Sequence, residues 1–207
     1  MKMKLYLARH GITTWNEVNR IQGSKNPDLS AAGELQARRL ARRLKKENIS
    51  LIYTSDRLRS KKTARIIQKF LKVPLRHEKG LREIDLGAWE GKTPQEVNLL
   101  YQNGYRKWLQ APSKVRIPGA EPVTLFRRRV LKTFSRLLRT APEGNILIVS
   151  HGGVIATFLA SLLKGSEDYF LLRLRLDNTG LSIIRVKDRT AAVVSCINDT
   201  SHLRDLV

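Results

Sequence analysis

Two segments of the chain place a histidine and a glycine directly after a run of apolar residues. These segments are residues 5–11 and 146–152. Each apolar run predicts a buried strand, and ligand crevices in open α/β sheets form at the carboxyl ends of strands. Two of the four histidines, His10 and His151, occupy these ends, and Arg9 adjoins the first. An imidazole beside a guanidinium suits chemistry on an anion. An ordinary turn with a solvent-facing histidine explains one such segment but not its repetition.

Five motifs follow one another along the chain. They are Arg9-His10-Gly11 with Thr13, Trp15 and Asn16; Gln22-Gly23; residues 55–59; residues 82–91; and Ser150-His151-Gly152. Together they resemble the signature of the histidine phosphatase superfamily, the phosphoglycerate-mutase-like proteins. The resemblance is to the phosphatase branch, which includes α-ribazole-phosphate phosphatases and broad-specificity phosphatases. Five ordered motifs over nearly the whole chain are far more specific than an isolated Arg-His-Gly tripeptide.

The resemblance implies a metal-independent phosphomonoesterase that works through a phosphohistidine. His10 would be the nucleophile, and the planar guanidiniums of Arg9 and Arg59 would hold phosphoryl oxygens. Because like charge disfavours imidazolium, these arginines would keep His10 neutral. His151 would hydrogen-bond the transferring group, and Glu83 would protonate the leaving alkoxide. The sequence alone does not single out Arg59 among the cations of its helix; the resemblance does.

Neutral donors are expected to complete the phosphate pocket. The candidates are Asn16 and the backbone amides near Gly11, Gly23 and Gly152. The Gly152 amide would lie at a helix start, where anions are favoured.

Other titratable residues compete with these assignments. Glu90 and Glu121 rival Glu83 on spacing alone. Pairing with the abundant arginines is the simpler interpretation for Glu90, and Glu121 stays open. His77 and His202 are interpreted as structural or solvent-facing, and His202 reaches the site only if the C-terminal tail folds back.

A metal centre is the chemical alternative to a phosphohistidine. His10, His151 and Glu83 include donor types that bind zinc. The adjacent arginines would repel a dication, so neither a metal nor another cofactor is expected.

Apolar periodicity predicts the elements that position this chemistry. Strands are expected at 5–8, 51–54, 75–77, 145–150, 181–186 and 191–197. Helices are expected after Ser30, at 57–72, at 124–140 and from 154 to Gly165. The alternation implies an α/β three-layer sandwich, with a mostly parallel sheet, helices on both faces and an antiparallel C-terminal strand. Residues 1–207 are expected to form one domain, with an irregular insertion at about 94–122 covering the carboxyl edge of the sheet.

Composition adds a strong positive charge. The 207 residues include 39 Lys and Arg against 18 Asp and Glu, which gives a net charge of +21. The single cysteine, Cys196, excludes an intrachain disulfide framework. With no visible signal peptide or membrane span, a cytoplasmic protein without a membrane partner is expected. Its expected partner is a small phosphorylated substrate, and a homodimer is left open.

Two other functions stay open at this point. A cofactor-dependent phosphoglycerate mutase would use the same phosphohistidine but return the phosphoryl group to product. Chain length, the 82–91 motif and the lack of a long insertion favour the hydrolase. Basic runs at 38–46 and 127–139 suggest a nucleic-acid-binding protein. They also fit solvated faces of amphipathic helices, so nonspecific binding of nucleic acid is the most that we expect.

Overall fold

The elements of the fold are taken from a computed structural model that describes residues 2–164, 174–187 and 191–206. The strands are β1 (Lys2–Arg9), β2 (Ile49–Thr54), β3 (Leu75–His77), β4 (Asn145–Ser150), β5 (Leu181–Lys187) and β6 (Ala191–Asp199). The helices are α1 (Thr14–Glu17), α2 (Ala31–Arg43), α3 (Leu58–Leu71), α4 (Pro94–Leu100), α5 (Gly104–Gln110), α6 (Val123–Thr140) and α7 (Gly152–Leu162).

All six strands form one sheet in the order β3-β2-β4-β1-β5-β6. β3, β2, β4 and β1 run parallel, while β5 is antiparallel to both β1 and β6. The predicted mostly parallel sheet with an antiparallel C-terminal part is confirmed. Because β1 and β4 are parallel neighbours, their carboxyl ends meet at one edge.

Helices cover both faces of this sheet, as the sequence predicts. On β1, Leu5 and Leu7 point into a core shared with α6 and α7, which contributes the stacked rings of Phe134 and Phe158. Tyr6 and Ala8, on the opposite face, pack into a second core with α2 and α3. The strict alternation follows from the two-residue period of a strand, and it buries β1 on both sides.

The start of α2 lies against the loop that follows β1. Ser30 caps the helix, as predicted, because its Oγ accepts a hydrogen bond from Gly33 N–H at 3.3 Å. A Cβ at Gly33 would lie 1.9 Å from Ile12 O, and a Cβ at Gly11 would lie 2.5 Å from Gly33 O. The loop and the helix therefore touch backbone to backbone.

The segment 94–122 is more regular than the sequence predicts. Pro94 is the first residue of α4, and Thr93 with Glu96 forms a capping box. α5 follows, and the buried ring of Trp89 contacts Tyr101 and Tyr105 at 6.2 and 6.5 Å between ring centroids. The expectation of an irregular segment is therefore corrected. The two helices have only seven residues each, which is too short for apolar periodicity to reveal. They are stabilised by the contacts of Tyr101 and Tyr105 with Trp89, which lies before the segment.

Two predicted features lie partly outside the described residues. α7 ends at Leu162, and the predicted stop at Gly165 falls among the residues that are not described. The same holds for the β5–β6 turn at 188–190. Over the parts of the chain that are described, none of the helices combines the length and hydropathy needed to cross a membrane.

Candidate active site

β1 and β4 bring two histidines to the same edge of the sheet. Arg9 pairs in register with Ser150, and His10 N–H donates to Ser150 O at 2.9 Å. The rings of His10 and His151 then lie edge to face, with centroids 5.3 Å apart. Both side chains are buried. The strand-end placement predicted from the sequence therefore puts the two imidazoles in contact.

Hydrogen bonds decide which nitrogen of His10 carries the lone pair. Nδ1 lies 2.8 Å from Gly11 O, and Nε2 accepts from Arg59 Nε–H at 3.1 Å. Since a carbonyl only accepts, Nδ1 holds the proton and Nε2 holds the electron pair. The basic atom of His10 is therefore Nε2, and it accepts a hydrogen bond from the guanidinium of Arg59.

His151 has the same tautomer but uses it differently. Its Nε2 lies 2.9 Å from Ser55 Oγ and 3.3 Å from Ser60 Oγ. Ser60 Oγ–H donates to Ser150 O at 3.4 Å, whereas Ser55 Oγ accepts from Arg57 N–H at 3.3 Å, so we assign Ser55 Oγ–H as the donor to His151 Nε2. Nδ1 then carries the ring proton, and this buried N–H has no partner among the described residues. His151 is left with an unused donor.

Burial and nearby guanidiniums keep both rings neutral. Burial is the largest cause that holds the pKa of His10 well below its ordinary value, and the charges of Arg59 and Arg9 lower it further. Burial also leads for the lowered pKa of His151, followed by Arg59 and His10. The predicted effect of the arginines is right in direction, but loss of hydration is the larger effect.

Arg59 is a buried cation with every described contact on backbone or on His10. It is the second residue of α3 and only 1% exposed. Its Nη1 and Nη2 donate to Lys25 O at 2.6 Å and Gly23 O at 2.8 Å. Burial lowers the pKa of Arg59 to about 10, so it stays charged at neutral pH. Gly23, with φ +47°, thus offers its carbonyl to Arg59, and a Cβ there would strike Glu90.

Arg9, which lines the same cleft as His10 and Arg59, has a donor without a partner among the described residues. Its Nη1 donates to Leu176 O at 2.7 Å, but its buried Nε has no partner among the described residues. Burial lowers its pKa, and the charges of Glu83 and Asp177 oppose this. Gly152 lies close, since a Cβ there would be 3.8 Å from Arg9 Nε. Arg9 Nε and His151 Nδ1 are thus two buried atoms without a partner among the described residues. Arg9 lines the cleft, whereas His151 is not among the lining residues and lies against the ring of His10.

Glu83 reaches the start of α7. Its Oε2 accepts from Gly153 N–H at 3.0 Å, and its Oε1 accepts from Ile84 N–H at 3.0 Å. A Cβ at residue 153 would lie 2.5 Å from Oε1, so only glycine lets the carboxylate approach this closely. Glu83 and His10 line the same cleft.

The rival carboxylates have other partners. Glu90 accepts from Ser24 N–H at 2.5 Å, Ser24 Oγ–H at 2.9 Å and Leu86 N–H at 3.0 Å, and so joins two loops. The expectation that Glu90 pairs with an arginine at the surface is therefore wrong, because its carboxylate accepts hydrogen bonds from Ser24 and from the backbone of Leu86 instead. Glu121 forms a two-point pair with Arg129 at 2.6 and 2.9 Å. It lies outside the cleft of His10.

The neutral donors expected around a phosphate are only partly available. Gly11 N–H donates to Thr63 Oγ1 at 3.0 Å, which corrects the expectation that this amide is free for the phosphate. Gly152 begins α7 and lines the cleft. Asn16 also lines it, and its Oδ1 accepts from Thr13 N–H at 3.1 Å, so that its NH₂ group remains the donor.

The cleft that holds these groups has a volume of about 450 Å³. Its basic floor is formed by Arg9, His10 and Arg59, and its outer wall includes Tyr105 and Trp108 of α5. Among the residues described, no group of three or more His, Cys, Asp or Glu side chains is placed to hold a metal ion. The zinc arrangement of His10, His151 and Glu83 is therefore not formed.

Several residues at the site were missed by sequence reasoning. Ser55 and Ser60 contact Nε2 of His151, and Ser55 is assigned as its donor, although Ser55 lies inside a motif in which the sequence analysis singled out only Arg59. Asn178 Nδ2 donates to His10 O at 2.9 Å, and Thr179 N–H donates to Arg9 O at 3.0 Å. The sequence feature that could have indicated these contacts is the polar run Asn178-Thr179-Gly180 directly before β5.

The two remaining histidines, His77 and His202, differ in exposure and in their contacts. His77 ends β3 and is exposed, as expected. The tail does fold back, and His202 Nε2 meets Thr179 Oγ1 at 3.2 Å without lining the cleft.

Comparison with known sequences gives a consistent answer. The family model described as histidine phosphatase superfamily (branch 1) matches residues 5–200. Phosphoserine phosphatase 1 of Hydrogenobacter thermophilus is 31% identical over 201 residues, covering 97% of this chain and 94% of that protein. A probable phosphoglycerate mutase, GpmB, of Proteus mirabilis is 30% identical over 208 residues, covering 99% and 96%.

Solved structures agree with these matches. YhfR of Bacillus stearothermophilus superimposes with a TM-score of 0.91 at 31% identity, covering 97% of this chain and 99% of that one. The α-ribazole phosphatase of Shigella flexneri gives a TM-score of 0.86 at 27% identity, covering 95% and 96%.

The chain therefore belongs to the histidine phosphatase superfamily, branch 1. It is a phosphatase of that family, which confirms the resemblance and the enzyme class predicted from the motifs. One argument against a mutase is weakened. GpmB, named as a mutase, is nearly equal in length to this chain, so chain length does not separate the two activities.

Proposed function

We propose that the protein hydrolyses small phosphomonoesters through a phosphohistidine at Nε2 of His10, without a metal ion. The observation that carries this proposal is the hydrogen bond from the buried guanidinium of Arg59 to the lone pair of a neutral imidazole, with the half-buried Arg9 lining the same cleft. Arg9 Nε and His151 Nδ1, which have no partner among the described residues, are the donors that we assign to the oxygens of the phosphoryl group. Arginine is suited to this because its planar group binds two phosphate oxygens at once.

In the first step the phosphate of the substrate displaces Arg59 from the lone pair of His10. Nε2 attacks phosphorus opposite the ester oxygen, forming the N–P bond as the P–O bond breaks. The carboxylic acid of Glu83 gives its proton to the departing alkoxide. Arg9 and Arg59 balance the charge on the equatorial oxygens, and Nδ1–H of His151 donates to one of them.

In the second step water replaces the alcohol. Glu83, now a carboxylate, takes a proton from the water as its oxygen attacks phosphorus, and the N–P bond breaks. Inorganic phosphate leaves and His10 returns to its neutral form. Asn16 and the Gly152 amide are the further neutral donors that we assign to the phosphate.

A panel of phosphomonoesters tests this proposal. We expect release of inorganic phosphate from several small esters, unchanged by EDTA, together with an acid-labile phosphoryl group on His10 after rapid quenching. Activity that is lost in EDTA and restored by zinc or magnesium would contradict the proposal, as would turnover without any phosphohistidine.

A mutase is the second candidate because GpmB, a relative of similar length, is named as one. A mutase must keep water from the phosphoenzyme until a second hydroxyl arrives. Arg20 and Arg175 line the cleft with 43% and 87% of their side chains exposed, which supports access of water. We therefore assign hydrolysis as the main reaction.

A side-by-side assay separates the two activities. 3-Phosphoglycerate primed with 2,3-bisphosphoglycerate is expected to give little 2-phosphoglycerate relative to phosphate released from the preferred monoester. Isomerisation faster than hydrolysis of every ester tested would make the mutase correct.

The remaining partner assignments are also proposals. Exposed arginines such as Arg38 and Arg42 of α2 and Arg128 and Arg136 of α6 lie outside the cleft. This distribution supports a solvated basic surface that attracts nucleic acid nonspecifically rather than a second function. Cell fractionation tests the proposed cytoplasmic location, and sedimentation tests the homodimer.

A further inference from the structure

The loop before β5 holds the backbone of the residues that carry the chemistry. Thr179 N–H donates to Arg9 O at 3.0 Å and lies 3.3 Å from His10 O. Asn178 Nδ2 donates to His10 O at 2.9 Å. The carbonyl of His10 is therefore fixed by a segment that is far away along the chain. This loop therefore supports the backbone of both Arg9 and His10.

Thr179 adopts a conformation that needs support. Its φ is +58°, in the left-handed region, and it is completely buried. A β-branched residue is a genuine outlier there, and such strain persists only where the surroundings hold it. The contact between Thr179 Oγ1 and His202 Nε2 at 3.2 Å is one such support.

Asn198 holds the other end of the loop. It lies near the end of β6, where the pairing with β5 shifts register, and its φ is +57°. Its Oδ1 accepts from Asp177 N–H at 2.8 Å, and its Nδ2 donates to Asp177 Oδ2 at 2.8 Å. Asn198 N–H donates to Ser182 Oγ at 3.1 Å. A Cβ at Gly180 would lie 2.0 Å from Asn198 Oδ1, so the contact also depends on that glycine.

We propose that Asn198 and His202 are positioning residues for phosphoryl transfer. They hold the loop of Asp177 and Thr179, and this loop holds His10 at the distance and angle needed for in-line attack. Neither is among the residues that line the cleft, so both act through the loop and not on the substrate. This inference rests on the proposed role of His10 as nucleophile.

Because Asp177 is charged and Asn198 is neutral, a second carboxylate at position 198 tests the positioning role directly. Asn198→Asp keeps a residue that tolerates positive φ but sets a second carboxylate against Asp177. We expect kcat to fall about 10- to 100-fold, because a misplacement of about 1 Å costs up to about 10²-fold. The inhibition constant of inorganic phosphate should rise by a smaller factor than kcat falls, because Arg59 is held by Gly23 and Lys25, which the substitution does not touch, and only Arg9 is bound to the same loop.

Exchange of the two side chains supplies the rescue. In the double variant Asp177→Asn/Asn198→Asp, an amide at 177 faces a carboxylate at 198, and the hydrogen bond is restored in reverse. Because Asp177 also lines the cleft and its charge acts on Arg9, Asp177→Asn is measured alone as well, and we expect kcat of the double variant to exceed that of either single variant. Asn48→Asp is the matched control, because Asn48 is an exposed asparagine with φ +48° far from the cleft, and we expect no change in kcat.

The outcomes separate this inference from the proposed function. An inactive wild-type protein refutes the function itself. If wild type is active, an unchanged kcat in folded Asn198→Asp, an unrescued double variant or a loss equal to that of Asn48→Asp overturns the positioning role. Should Asn198→Asp fail to fold, Asn198→Gly and His202→Ala are measured instead. The former keeps the backbone conformation available, and the latter removes only the contact with Thr179. Both should lower kcat by a larger factor than they weaken phosphate inhibition, and unchanged kcat in both overturns the inference.

Discussion

His10 and His151 occupy equivalent places at the ends of neighbouring strands, but their surroundings use opposite sides of the ring. In both, Nδ1 carries the proton. The Nδ1–H of His10 is bound to Gly11 O, which leaves the lone pair of Nε2 for chemistry. In His151 the lone pair of Nε2 is assigned to the Ser55 hydroxyl, which leaves Nδ1–H as a donor. One ring offers electrons and the other offers a proton in a hydrogen bond.

The difference shows that strand position alone does not assign a role to a histidine. The partner of the second ring nitrogen decides it, and these partners come from different elements. Gly11 belongs to the loop after β1, whereas Ser55 belongs to the segment between β2 and α3. A comparison of variants at the two histidines is therefore the most direct test of the proposed mechanism.

Loss of His10 should have the largest effect. In His10→Ala no atom remains to accept the phosphoryl group, so turnover and phosphoenzyme formation should both fall to background. The measurement is phosphate release together with radiolabel retained on quenched protein. A folded variant with near wild-type turnover would remove His10 from the mechanism.

Glu83, which is bound to the helix that follows His151, should come next. We expect Glu83→Gln to lose about 10²–10⁴-fold on alkyl phosphates, as is typical for a general acid. p-Nitrophenyl phosphate should be affected less in the first step because its leaving group is a stable anion. Pre-steady-state phosphorylation rates on both esters give the comparison. Equal losses would reassign Glu83 to binding or structure.

His151→Ala should preserve the nucleophile and lose only a donor. Removal of one preorganised donor costs about 10²–10³-fold in kcat in comparable sites. Unlike His10→Ala, this variant should still form the phosphohistidine, although slowly. Complete loss of the phosphoenzyme in a folded His151→Ala protein would mean that the two histidines are not distinct in role.

The smallest effect is expected from mild acid. The pKa values of His10 and His151 are lowered mainly by burial, so both rings should stay neutral as the pH falls from 8 to the ordinary value of about 6.5. NMR titration of the ring protons in the free protein should therefore show no protonation of either ring in this interval, with any change below it. A midpoint at or above 6.5 for His10 would contradict the assigned environment.

Sequence patterns predicted the strands, the flanking helices and the clustering of Arg9, His10 and His151, because each depends on local periodicity or on the edge where parallel strands end. Glu83 and Arg59 were assigned only through the family resemblance. The tautomer of His151 could not be predicted, since Ser55 reaches its ring only after β2 packs beside β4. The support from Asn178 and Thr179 was missed for the same reason. The prediction for Glu90 failed because a carboxylate in a folded loop finds backbone amides that no charge pattern reveals.

The helix α2 contains a glycine, Gly33, that takes no part in the proposed reaction but is required by the packing of the site. An alanine at position 33 would improve helix propensity by about 1 kcal/mol, yet its methyl carbon would lie 1.9 Å from Ile12 O. In a library of all single substitutions, position 33 should therefore tolerate almost nothing, although it meets no substrate. A mutational scan read without the structure would place Gly33 among the reactive residues, when its effect is to leave room for the loop that follows His10.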